Sequence, residues 1–204
     1  MNKKLKSKKN IDIKILFLGR DDSPVLDWLI NIGESVVQTS EKINPEFMYL
    51  NKINFIISYR YIHLLKKEIL DLCPGRAINL HISYLPYNRG SHPNFWSFVE
   101  NTPKGVTIHY LDEGIDTGDI LIQEKVEFNI KKETLVSSYE QLQSLILNLF
   151  KNNWEDIKIR KIKSKKQIGP GTFHKNIDKE NLNYLLTDNW NTLVSGLDKH
   201  NINS

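Results

Sequence analysis

The apolar opening of the stretch INLHISYLPYNRGSHP, residues 78–93, carries Asn79 and His81 two positions apart. In an extended strand residues i and i+2 project to the same face, so this spacing sets an amide and an imidazole side by side. A carboxylate able to orient the ring and raise its basicity is present as Asp116 in the turn-rich GIDTGD. An amide to stabilise a developing oxyanion, an imidazole to move protons and an acid to fix the imidazole suit acyl transfer. No activated Ser or Cys stands beside them. Cys73 precedes Pro74 in an apparent turn and reads as structural, so the acceptor has to bring its own nucleophile, most simply an amine. Asn-x-His alone also describes an ordinary strand end, and His63, His92 and His109 carry the same structural reading. His109, inside GVTIHYL, is expected to pack in a hairpin. No histidine pair has the i, i+4 spacing with a neighbouring acid that a zinc helix uses, and no metal is expected.

These side chains need elements to hold them. DIKILFL at 12–18 reads as a buried strand, GRDDSP as a turn and VLDWLINIG as a helix closed by Gly33. SVVQ and NFIISY are strand-like, IHLLKKEILDL has helical spacing up to the stop at CPG, and AINLHI at 77–82 is a further buried strand. The alternation predicts an α/β fold, a Rossmann-like, mostly parallel sheet with helices on both faces. Ligands collect at the carboxyl ends of such strands, where Asn79 and His81 fall. After a helix at PNFWSFVE, GVTIHYL and DILIQEKVEF predict a β-hairpin around DEGIDTG, and 133–157 a long amphipathic helix starting near Lys132 or Glu133. A basic run, a Gly-Pro-Gly turn and a final helix near 178–186 complete a short C-terminal extension. The expected organisation is a disordered basic tail at 1–10, a catalytic unit at 11–157 and an extension at 158–204 packed on it.

The 204 residues carry a formal charge of +4. Five lysines without an acid lie in residues 1–10, and KIRKIKSKK at 158–166 holds six further cations, so the basicity is a tail plus one patch. A solvated surface is the expectation for that patch, with nucleic-acid binding as the rival. One cysteine excludes an internal disulfide and fits a reducing compartment, taken as cytoplasmic. No window approaches the ~20 apolar residues that span a bilayer, so no membrane insertion is expected.

The segments NLHISYLPYNRG and KGVTIHYLDEGIDTGDILIQ resemble the two signature regions of the folate-dependent formyltransferases. With the first strand and the helix at 133–153, the resemblance spans roughly residues 12–155. The family's Asn, His and Asp positions match Asn79, His81 and Asp116 in order and context. The resemblance implies 10-formyltetrahydrofolate as formyl donor. Its pterin would lie against the loop Leu111, Asp112, Glu113, Gly114, Ile115, Asp116 and the segment SYRYI, through Tyr59, Tyr61 and Ile62. A flat heterocycle read at its edge by loop backbone is compatible with that placement.

Three acceptors are known in the family. The methionyl-tRNA enzymes add a sizeable C-terminal domain, whereas 158–204 is short, which disfavours tRNA. The glycinamide ribonucleotide enzymes have a glycine-rich, phosphate-cradling turn after the first strand. Here LGRDDSP offers one glycine and two acids that repel phosphate. GRDDSPVLDWL, NRGSHPNFWSF, NTPKG and GPGTFHKNIDKENLNYLL are most similar to nucleotide-sugar N-formyltransferases, especially those acting on dTDP-4-amino-4,6-dideoxyglucose in surface polysaccharide (O-antigen) biosynthesis. That reading makes Arg20, Ser83, Arg89 and Gly90 acceptor contacts and lets Phe173 or Tyr184 stack on a base. It also predicts a homodimer, because VTIHYL and DILIQEKVEF look apolar enough to want a partner surface. The alternatives are a glycinamide ribonucleotide-type enzyme and a non-catalytic folate-binding relative.

Overall fold

Ile15, Leu16, Phe17 and Leu18 are all fully buried, and a strand with no exposed side needs cover on both faces. The computed structural model describes residues 12–197, so the basic stretch 1–10 lies outside the described residues. Within them β1 (Lys14–Leu18) is followed by α1 (Pro24–Asn31), β2 (Ser35–Thr39), α2 (Pro45–Leu50), β3 (Phe55–Ser58), α3 (Lys67–Leu70) and β4 (Ala77–His81). Next come β5 (Arg89–Gly90), α4 (Pro93–Val99), β6 (Gly105–Tyr110), β7 (Ile120–Lys125), α5 (Leu135–Lys158) and β8 (Phe173–His174). The main sheet has the order β2-β1-β3-β4-β6-β7. Its first four strands run parallel, β6 is antiparallel to β4, and β7 is antiparallel to β6 and so regains the direction of the first four.

The alternation of each strand sorts its side chains. Ile15, Phe17, Ile57, Ile78, Leu80 and Ile108 face α1 and α5. Leu16, Leu18, Ile56 and Ala77 face α2 and α3 with Met48, Ile69 and Cys73. Asn79 and His81, in phase with Ala77, therefore emerge on the α2/α3 side. There the connection 111–119 covers β4, beginning where Leu111 N–H donates to the Ala77 carbonyl.

The long helix starts at a reciprocal cap: Thr134 Oγ1 accepts from Ser137 N–H and Ser137 Oγ accepts from Thr134 N–H. This box places the start at Leu135, slightly later than the expected Glu133. Leu142, Ile146, Phe150 and Trp154 form its buried stripe, each such side chain stabilising the fold by roughly 1.5–3 kcal/mol. Trp154 Nε1–H donates to Glu34 Oε1 at 2.8 Å, and Lys158 Nζ meets the same oxygen at 2.6 Å, fixing the helix end to the turn after α1.

One expectation changes and two gain detail. The final helix is a 3₁₀ run, Asn176–Leu185, in which Leu185 is the buried side chain, so little apolar surface favours a regular amphipathic helix. The cations of 158–166 are dispersed: Lys161 pairs with Asp156, Lys166 with Asp119, and the Arg160 guanidinium lies against Gly75. The apolar residues of β6 that suggested a partner surface are spent inside the chain, Val106 and Ile108 being fully buried with α5.

Candidate active site

Asn79 is level with Ser58, the last residue of β3, and His81 projects beyond that strand's end. Opposite Asn79 on β6 stands His109, and a register irregularity between Ile108 and His109 breaks the β6–β7 ladder at that point. Directly opposed residues share a face, so Asn79, His81 and His109 converge, and Asp116 reaches them from the connection after β6.

The carboxylate is the hub. Asn79 Nδ2 donates to Asp116 Oδ1 at 3.1 Å and lies 3.3 Å from His109 Nε2. The Gly90 N–H donates to Oδ2 at 2.8 Å. His109 Nε2 lies 3.4 Å from Oδ1 and His81 Nδ1 3.7 Å from Oδ2. His109 Nδ1 is 2.8 Å from the Tyr110 carbonyl, which only an N–H can satisfy, and His81 Nε2 is likewise held 3.1 Å from the Asn88 carbonyl. In the neutral rings His109 Nε2 is then an acceptor for the Asn79 amide, and His81 Nδ1 carries its lone pair on the Asp116 side.

Burial lowers the His81 pKa below its usual value, more than the facing Asp116 charge raises it, so the ring is neutral at neutral pH. Burial by itself would raise Asp116. The rings of His81 and His109 and the Gly90 N–H outweigh it and hold the carboxyl well below the usual range. Gly90 N–H and the Asn79 amide donate whatever the state of the rings, and they keep the carboxylate ionised beside a neutral His81. The gap at His81 Nδ1 exceeds hydrogen-bond length and leaves that nitrogen open to a proton from an acceptor, after which Asp116 stabilises the imidazolium.

Asn79, His81 and Asp116 border a cleft of about 820 Å³, and His109 lies behind them, outside its lining. Tyr59, Tyr61, Ile62, Leu111, Asp112, Gly114, Ile115 and Asp116 also line it, as do Gly90 and Phe173. Tyr59 is buried, its hydroxyl donates to Gln143 Oε1, and burial pushes its pKa up to about 12. Gln143 is on the same wall, and its buried Nε2 has no hydrogen-bond partner among the described residues. An apolar annex of about 350 Å³ adjoins it, sharing Arg60, Ile82, His92, Pro93 and Tyr139 and closed by Trp190.

Other sequence-derived candidates lie elsewhere. Glu113 is not on the cleft wall. Arg20 is exposed and paired with Asp22 at 2.5 Å, and Ser83 is buried with its hydroxyl donating to the Tyr87 carbonyl, so neither reaches the cleft. Arg89 turns away from it to Gln167, and Tyr184 is exposed outside it. Cys73 is buried against α3, its thiol pushed up to about 11, as suits a structural residue. His109 was missed because the β4–β6 register, which alone brings it opposite Asn79, is not written in either strand. Among the described residues no group of three or more His, Cys, Asp or Glu side chains is arranged to hold a metal ion, and no helix is long and apolar enough to cross a membrane.

This geometry can be set against known proteins. The chain belongs to the formyl transferase family, whose model matches residues 32–151. It is similar to the formyltransferase PseJ from Anoxybacillus kamchatkensis, solved in complex with UDP-4,6-dideoxy-4-formamido-L-AltNAc and tetrahydrofolate. The two are 44% identical, with 90% of this chain and 97% of that one covered at a TM-score of 0.85. A 4-N formyltransferase from Francisella tularensis is 27% identical, with 83% and 79% covered and a TM-score of 0.72. Among curated proteins, the methionyl-tRNA formyltransferase of Clostridium botulinum is 32% identical over 155 residues, 72% of this chain and 45% of that protein. The chain spans half or less of the length of the curated relatives it matches, from 25% to 50%.

Proposed function

We propose that the protein transfers the formyl group of 10-formyltetrahydrofolate to the amine of a nucleotide-linked amino-dideoxy sugar. The observation that carries this reading is the meeting of Asn79, His81 and Asp116 at the mouth of one cleft. Likeness to PseJ over nearly its whole length supports the donor and the acceptor class. The folate supplies an activated formyl carbon. The cleft offers it aromatic and apolar walls at Tyr59, Tyr61 and Leu111.

The roles follow from the geometry. The Asn79 amide, tied to Asp116 and His109 in the free site, exchanges one of these acceptors for the formyl oxygen as negative charge grows there. His81 Nδ1 takes the proton of the attacking amine, the facing carboxylate stabilises the ring it has charged, and the proton passes on to the folate nitrogen as its bond to the formyl carbon breaks. Residues 11–157 carry this machinery, and the following segment supplies one wall of the cleft through Phe173 and His174.

For the acceptor, the sequence segments resemble enzymes that formylate dTDP-4-amino-4,6-dideoxyglucose. The likeness to PseJ favours instead a UDP-linked 4-amino-4,6-dideoxy sugar of the AltNAc type; use of the product in a surface polysaccharide rests on the sequence resemblance alone. The test is consumption of 10-formyltetrahydrofolate against both sugars, with glycinamide ribonucleotide and methionyl-tRNA as further arms. Turnover confined to an amino-sugar nucleotide is the expected result. Turnover with methionyl-tRNA, or with no amine at all, would overturn the reading.

A further inference from the structure

Asp116 occupies left-handed backbone with φ 54°, a conformation that costs a side chain with a Cβ about 1–3 kcal/mol and persists only where the surroundings impose it. Its own loop is braced through Asp112 Oδ1, which accepts from Gly114 N–H and Thr117 Oγ1. The Asp116 carbonyl itself is held by Gln167, fifty-one residues further along the chain, whose Nε2 donates to the main-chain carbonyls of Asp116 at 2.7 Å and Gly118 at 2.8 Å. Its Oε1 accepts from Arg89 Nε at 3.1 Å and Nη2 at 2.7 Å. The amide is thereby fully used, two N–H groups and two lone pairs. Arg89 immediately precedes Gly90, the residue whose N–H holds Asp116 Oδ2. One side chain thus ties the backbone of the carboxylate to the side chain of the residue that precedes its main-chain donor.

Gln167 is itself anchored on both sides. Lys165 exchanges both main-chain hydrogen bonds with Ile120, at 2.8 and 2.9 Å. Downstream, Arg89 N–H donates to the Thr172 carbonyl and Ser91 N–H to the His174 carbonyl, both at 2.9 Å, as β8 lies parallel to β5. Thr172 Oγ1 also accepts the Asn88 N–H at 2.8 Å, and the Asn88 carbonyl is the partner of His81.

We propose that Gln167 is a positioning residue of the formyl-transfer site, clamping Asp116 and Gly118 to Arg89 so that the carboxylate stays against His81 and Asn79. This rests on the transferase reading above. A mere tether between the late segment and the body of the protein would need only the Arg89 contact. Gln167→Glu separates the two: it keeps, and charges, the partner of Arg89 while turning a bare oxygen towards two carbonyls.

The experiment compares the full chain with Gln167→Ala and Gln167→Glu. Histidine ¹⁵N resonances are titrated by NMR, with His81 assigned through His81→Ala, alongside steady-state turnover and melting temperature. His81 is faced by Asp116, His109 and the Asn88 carbonyl. Since the Asp116 charge supports its basicity, a displaced carboxylate makes His81 titrate at lower pH in both variants. Turnover number is expected to fall up to about 10²-fold with KM values little changed, at a parental melting temperature. Parental behaviour of Gln167→Glu, an unmoved His81 titration, or a loss accounted for by a lower melting temperature would overturn the proposal. If the parent protein turns over no acceptor, the transferase reading falls, and the His81 titration still decides whether Gln167 positions Asp116.

Discussion

The main-chain N–H of Gly90 donates to Asp116 Oδ2 over 2.8 Å, joining two turns 26 residues apart. Of the groups around the carboxylate, this donor is indifferent to which tautomer either histidine adopts. Gly90 has φ 85°, and a Cβ there would run into the His174 carbonyl of the adjacent strand. Gly90→Ala is therefore expected to push β5 from β8 and pull the N–H off Asp116. Formyl transfer should drop by about tenfold or more, ~1.4 kcal/mol of barrier. Steady-state assay of the purified variant checks this, and parental turnover would contradict it.

Asp116→Asn keeps the shape of the side chain and removes its charge. The Gly90 N–H and Asn79 amide would then face a neutral group, and the imidazolium formed at His81 would lose its counter-charge. Turnover should fall by ~10²–10³, the usual loss when one preorganised electrostatic group is removed. Circular dichroism should stay parental, since the neighbouring cores do not involve this side chain. His81→Ala should lose turnover to a similar degree.

His109→Leu tests the residue that the sequence did not single out. The leucine cannot accept from the Asn79 amide, which is then free to rotate away from the formyl oxygen's place. The expectation is a fall in turnover of at least about tenfold with donor and acceptor KM unchanged. A KM effect alone would place His109 in binding instead.

The pH dependence has a definite sign. His81 is lowered from its usual 6.5, so kcat/KM should stay level through neutrality and lose activity with a midpoint below 6.5. Stability should follow. The unfolded His81 binds a proton below about 6.5 while the buried ring does not, so stability falls as pH drops from there towards the folded value. Asp116, lowered from 3.8, adds a contribution fully present above that pH and lost as the carboxyl protonates below it. Urea titrations at several pH values measure both, with His81→Gln and Asp116→Asn flattening the respective windows.

Trp154→Ala removes a fully buried ring from the stripe of α5 and strips Glu34 of one of its donors. The expected loss is about 3–5 kcal/mol by denaturant unfolding. Trp154→Phe should cost markedly less, because a buried aromatic ring is kept and only the hydrogen bond to Glu34 is lost.

Which parts of this molecule could be read beforehand follows the range of the interactions. β1, β3, β4 and α5 are written in local periodicity, and the i, i+2 placement of Asn79 and His81 is a property of any strand. His109, the Gly90 N–H and Gln167 depend on the pairing of β4 with β6, of β5 with β8, and on a side chain reaching across 51 residues. Nothing local encodes those. Arg20 and Ser83 show the opposite limit: a cation or hydroxyl near a motif invites a ligand, and the sequence does not say that each has a neighbour to bond, Asp22 or the Tyr87 carbonyl. The hairpin strands looked adhesive because their sequence does not say that α5 returns to cover them.

The lateness of the segment 165–174 bears on biosynthesis. A chain emerging from the ribosome completes the parallel strands and the hairpin first, yet Asn88 waits 84 residues for Thr172 and Asp116 waits 51 for Gln167. The nascent polypeptide therefore reaches its sheet well before its chemistry, and the site is complete only once residues 165–174 have been translated.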